Sequence, residues 1–144
     1  MIILDLNEIY TELIMEHNMS KRNRRELESC DLCEKGHNPS CGDEIEIKLK
    51  YNGDIIEDIA FTGKGCAISQ ASTSMMIDLV KGKSKSEAKE LIETFIAMIK
   101  REIKDEEKLE VLEDAMVLQN ISNMPARVKC AVLAWHTLEE MMKK

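Results

Sequence analysis

The chain is poor in aromatic residues, in proline and in positive charge. Of its 144 residues only 3% are Phe, Trp or Tyr, two are Pro, and the formal net charge at pH 7 is −7. So few aromatics predict an aliphatic core and leave no platform for stacking bases. An acidic chain also lacks the basic footprint that a phosphate backbone requires, so nucleic acid is not an expected partner. A basic protein surface is compatible with this charge. No run approaches the roughly 18 apolar residues of a membrane-spanning helix. The start, Met1-Ile2-Ile3-Leu4, has no basic flank and soon meets Asp5 and Glu8, unlike a secretory signal. The expectation is a cytoplasmic protein without a membrane partner, its cysteines kept reduced.

What is present is a globular balance, 44% hydrophobic and 33% charged, with ten Met to fill an adaptable core. The length fits one domain spanning residues 1–144. Five cysteines, an odd number, exclude a complete disulfide framework and point to metal binding or thiol chemistry.

Leu6, Ile9, Tyr10, Leu13 and Ile14 recur at helical spacing and predict a helix over 5–18. The following Ser20–Arg25 reads as a basic loop or helix end, or as a docking patch. Residues 44–51 alternate apolar and polar at every position, the period of a half-buried strand. Asn52-Gly53 predicts a tight turn, with both residues at positive φ, and 54–62 returns as the partner strand. A helix is expected from Cys66 to Lys81, stopped by Gly82. Its first turns hold Ala67, Ser69, Ala71, Ser72 and Ser74, small residues that let another backbone come close. Ser84-Lys85-Ser86-Glu87 opens a further helix through Ile99. Residues 100–110 read as an exposed helix end and linker, Leu112, Ala115, Met116 and Leu118 as a short helix, and Val128 to Met142 as a last helix with Pro125 near its start. The class is α+β, a small antiparallel sheet built on the hairpin 44–62 and packed against several helices.

Three thiols fall at element boundaries. Cys41 lies in the turn-rich Asn38-Pro39-Ser40-Cys41-Gly42-Asp43. Cys66 stands at a helix N-terminus, where unpaired N–H groups favour thiolate. Cys130 is in the first turns of the last helix beside Arg127 and Lys129. Either these thiols converge on one metal, or each is a small buried residue at its own place. Cys30-x₂-Cys33-x₃-His37-x₃-Cys41 carries the ligand types of a zinc knuckle and offers a rival site; Cys30 and Cys33 also read as incidental loop residues or an auxiliary thiol pair. His17 and His136 read as ordinary surface or core-edge residues. No Gly-rich phosphate loop, nucleophile elbow or paired-His helix motif occurs.

At these residues the chain resembles the NifU N-terminal/IscU-like proteins of iron–sulfur cluster assembly, and within them the SufU type. Leu13-Ile14-Met15-Glu16-His17 is similar to the first helix of that family. Asn38-Pro39-Ser40-Cys41-Gly42-Asp43, Gly63-Lys64-Gly65-Cys66 and Pro125-Ala126-Arg127-Val128-Lys129-Cys130 are similar to its three cysteine motifs, in order. The resemblance implies a SufE/NifU-like fold and a metal site of Cys41, Asp43, Cys66 and Cys130, holding Zn²⁺ or, alternatively, a [2Fe–2S] cluster. It also implies a pyridoxal-phosphate cysteine desulfurase of SufS type as partner, with a downstream iron–sulfur scaffold or apo-proteins beyond it. Scaffold-type members carry His before the third Cys, preceded by a double-proline motif read by a chaperone. Here Lys129 precedes Cys130, Met124-Pro125-Ala126-Arg127 replaces that motif, and the segment between the second and third Cys is longer, through residues 100–120. These features favour a zinc-dependent sulfur acceptor, an activity of at most sulfurtransferase type. Cys41 would be the persulfide acceptor, freed by ligand exchange at the metal, with Arg127 as electrostatic support. The segment 19–37 is the least family-like part and carries no implied role.

Overall fold

The computed structural model describes residues 6–39, 42–103 and 105–143. Helix α1 (Leu6–Ser20) leads into strands β1 (Leu32–Asn38), β2 (Asp43–Asn52) and β3 (Ile55–Lys64). Helices α2 (Ala67–Val80), α3 (Lys85–Ile99) and the single turn α4 (Glu106–Leu109) follow, then a 3₁₀ segment (Glu110–Asn123) and α5 (Pro125–Met142). The strands form an antiparallel sheet in the order β1-β2-β3.

The alternation in β2 turns Ile45, Ile47 and Leu49 inward, opposite Gly63, Phe61 and Ile59 of β3. The hairpin is the expected one, but its turn is displaced. Asn52 pairs with Ile55 as the last rung of the ladder, so Gly53 and Asp54 form the turn. Only Gly53, at φ 63, takes the positive angle. A shift between Lys50 and Tyr51 marks a bulge, which explains why the two strands are offset there.

The segment 19–37, in which no strand was expected, holds all of β1 except its last residue, Asn38. Alternation was invisible there because its inward positions near the end are Gly36 and Asn38 rather than large apolar residues. Before it, Asn23 and Arg25 lie alongside β3: the Phe61 N–H donates to the Asn23 carbonyl and the Arg25 N–H to the Phe61 carbonyl, both at 3.1 Å. The basic run is thus partly a strap on the sheet edge rather than a solvated loop.

Helix α2 is buried almost all round, from Ser69 through Ile77 and on to Leu79 and Val80, and forms the centre of the helical layer. Its small residues do admit another backbone. The Ser72 hydroxyl donates to the Ala131 carbonyl of α5 at 2.6 Å and accepts from Trp135 Nε1 at 2.9 Å. Trp135 stacks on Phe95 of α3, with ring centroids 3.9 Å apart.

The connection after α3 is more ordered than a linker. Asp105 caps α4, accepting from the Glu107 N–H at 3.0 Å. Leu109, Leu112, Ala115, Leu118 and Ile121 are then all buried. That spacing of three matches a 3₁₀ helix, in which side chains three apart lie above one another. The segment kinks at Glu113, where φ is 52. Among the described residues no helix is long and apolar enough to cross a membrane.

Candidate metal centre

Three of the four expected ligands converge. One ligand atom each from Asp43, Cys66 and Cys130 lies within 4.8 Å of the others. Cys41 lies outside the described residues. Asp43 opens β2 and is fully buried, Cys66 precedes the first residue of α2, and Cys130 sits on α5 at 1% exposure.

Local structure holds each one. Cys66 is the N-cap of α2 with extended φ and ψ of −70° and 165°, and its sulfur accepts the Ser69 N–H at 3.5 Å. That bond takes up one of the helix's orphan donors. The Cys66 N–H donates to Asp43 Oδ1 at 2.8 Å, tying β2 to the start of α2. Asn38 Nδ2 donates to Cys130 Sγ at 3.7 Å, tying β1 to α5. Asn38 is also the cross-strand partner of Asp43. Sequence reading assigned Asn38 no role; its place opposite Asp43 becomes visible only once β1 is recognised.

Asp43 Oδ2 is buried and has no hydrogen-bond partner among the described residues. A carboxylate oxygen left bare inside a protein is costly, and a cation would satisfy it. Two thiols and this oxygen, with one further ligand, suit four-coordinate Zn²⁺, so the donor set fits that ion. Arg127 and Lys129 are exposed, and none of the described ion pairs involves them. Arg24 reaches the end of β3 and the start of α2, donating to the Gly63 carbonyl and, at 2.9 Å, to Gln70 Oε1.

The knuckle is not assembled. Cys33 and His37 share the outward face of β1, and four residues of strand separate their Cα atoms by about 13 Å. Cys30 and Cys33 are exposed, and partial burial followed by the nearby Glu46 carboxylate pushes the Cys33 thiol up, away from the thiolate form. His17 departs from expectation too. It is buried, its Nδ1 2.8 Å from Ser74 Oγ of α2 and its Nε2 3.9 Å from Asp114 Oδ2.

An antiparallel sheet capped by helices, with a carboxylate and two thiols gathered at the strand ends, defines a small α+β protein with a candidate thiolate metal site. The NifU-like N terminal domain family matches residues 9–144, and the chain belongs to it. It is 42% identical over 136 residues to the iron–sulfur cluster assembly scaffold protein IscU of Thermotoga maritima, covering 94% of each chain. It is 39% identical over 140 residues to the zinc-dependent sulfurtransferase SufU of Bacillus subtilis, covering 97% of this chain and 93% of that one. A crystal structure from Fervidobacterium islandicum AW-1, of a candidate iron–sulfur cluster assembly scaffold protein for the SUF system, superposes with a TM-score of 0.86 at 40% identity. The match covers 93% of this chain and 96% of that one.

Proposed function

We propose that this chain acts in iron–sulfur cluster assembly as a zinc-dependent sulfur acceptor, taking persulfide sulfur from a cysteine desulfurase of SufS type. The observation that carries the reading is the convergence of Asp43, Cys66 and Cys130 around a buried carboxylate oxygen without a partner among the described residues. With Cys41, which precedes Asp43 by two residues, these would hold Zn²⁺. Zinc bound there would keep the thiols as thiolates near neutral pH. The B. subtilis relative, named a zinc-dependent sulfurtransferase, supports this choice.

In the transfer, the Cys41 thiolate attacks the outer sulfur of the donor persulfide. The donor S–S bond breaks, the donor cysteine leaves as thiolate, and Cys41 carries the new persulfide. Ser69, Asn38 and the Cys66 backbone keep the other ligands in place. The sulfur then passes to a downstream scaffold or apo-protein. The reading takes the protein to work in the cytoplasm, where thiols stay reduced, and Arg127, exposed at the start of α5, to lend the thiolate site electrostatic support.

A second reading is favoured by the T. maritima relative, named a scaffold: the same ligands build a [2Fe–2S] cluster as cargo and pass it on. Metal and labile-sulfide analysis of anaerobically purified protein separates the two. One zinc per chain, no sulfide, and desulfurase stimulation lost in Cys41→Ala are the results expected of a sulfur acceptor. A stoichiometric, transferable cluster would replace that reading with the scaffold. Zinc retained after Cys66 and Cys130 are both replaced would overturn the shared site.

A further inference from the structure

The Cys130 sulfur is held from a second direction, by a residue that is no ligand. Asn38 ends β1 and is 5% exposed, while Cys130 is 1% exposed on α5. The 3.7 Å contact runs from the side-chain amide to Sγ. An asparagine amide brings two N–H donors and no charge, so it can serve a buried sulfur without adding a second ion to the site.

The contact is built rather than incidental, because the packing beneath it fixes its distance. Two residues earlier on the same face of β1, Gly36 meets α5: a Cβ there would lie 2.4 Å from Thr137 Oγ1. The missing side chain lets α5 close on β1. Thr137 follows Cys130 by two helical turns, so drawing Thr137 onto Gly36 brings Cys130 within reach of a side chain as short as Asn38. Meanwhile the ladder sets Asn38 opposite Asp43. The two residues that flank the connector bearing Cys41 therefore hold the other ligands: Asp43 through the Cys66 N–H, and Asn38 through the Cys130 sulfur.

We propose that Asn38 is a positioning residue of the metal centre, its amide N–H donating to the Cys130 thiolate and fixing that sulfur toward the ion. This rests on the metal-site reading above. An N–H bond to a thiolate withdraws electron density from the sulfur and restricts its orientation. Partners of this kind around metal ligands typically contribute 10–100-fold to affinity. Asn38 thereby ties the base of the Cys41 connector to the last helix and keeps Cys130 as a fixed ligand.

Cobalt(II) added to the metal-free protein provides the test, read by the thiolate-to-cobalt charge-transfer absorption, with zinc affinity measured by chelator competition. Asn38→Ala is expected to bind zinc about 10–100-fold more weakly and to shift the charge-transfer band to lower energy, as a thiolate stripped of its N–H bond is a stronger donor. Asn38→Ser, which keeps a small polar group at the strand end, guards against failure of the alanine variant to fold. Folded variants with the wild-type spectrum and an unchanged zinc affinity would overturn the inference while leaving the site intact. If neither variant folds, Asn38 serves the fold alone and the inference is overturned. Absence of any charge-transfer band in the wild-type protein would remove the site itself, and with it the role of Asn38.

Discussion

Gly65 and Asp43 share one small volume: a Cβ on Gly65 would stand 2.5 Å from Asp43 Oδ1, the atom that accepts the Cys66 N–H at 2.8 Å. Aspartate is short and begins a strand, so it cannot move aside without giving up that hydrogen bond. Gly65→Ala should therefore cost about 1–3 kcal/mol, the usual penalty for overpacking, and should also weaken zinc binding. Denaturant unfolding of the metal-free protein and a chelator competition check the two effects separately. Unchanged zinc affinity would mean that the carboxylate is not a ligand in its observed position.

Zinc itself should act as a stabiliser. At free zinc 100 times its Kd, binding to the native state alone adds about 2.7 kcal/mol. Asp43→Ala removes the bare Oδ2 and one donor, so at the same zinc concentration its thermal shift should be clearly smaller. Equal shifts in the two proteins would take Asp43 out of the ligand set.

Ser72 bridges α2 and α5 by donating to the Ala131 carbonyl and accepting from Trp135 Nε1. Ser72→Ala leaves the buried indole N–H with nothing to bind, which should cost about 1–3 kcal/mol. Trp135 is the single tryptophan, so its fluorescence during urea unfolding reports the loss directly. Stability within a few tenths of wild type would show that the indole finds another partner.

His17 gives the native state a pH dependence. Burial, the largest cause, lowers its pKa from 6.5, and Arg22 acts in the same direction against the opposing Asp78, Asp114 and Glu16 carboxylates. The folded form thus prefers a neutral ring, while the unfolded chain takes up a proton near 6.5. Stability from this group is complete above about pH 6.5 and declines as pH falls below it, by at most about 1.4 kcal/mol per pH unit. In His17→Gln the slope between pH 6.5 and 5 should flatten. A slope identical to wild type would assign it to other groups.

Legibility in the sequence followed the strength of the local pattern. The hairpin was readable because Ile45, Ile47 and Leu49 alternate with charge, and α5 because Pro125 opens it. β1 was not, since a glycine and an asparagine fill its inward positions for reasons of helix approach and sulfur contact rather than hydrophobicity. The buried row from Leu109 to Ile121 repeats every third residue, a period outside the helix and strand templates. At the site, spacing left convergence open, because Asp43, Cys66 and Cys130 lie far apart in the chain. The family motifs implied a ligand set, and the fold brings these three of its members together. Asn38 lay within a quoted motif, yet its role depends on a strand that local pattern does not announce.

If the proposed site holds a metal ion, its ligands become available in an order set by synthesis. Asp43 and Cys66 belong to the hairpin and the helix directly after it, and a hydrogen bond joins them. Cys130 arrives on α5, long after both have left the ribosome, if the chain is folding as it emerges. A cation captured early meets only part of its coordination shell and can leave again. Docking of the last helix then becomes the event that commits the ion, and a chain stalled before residue 130 would be unable to keep one.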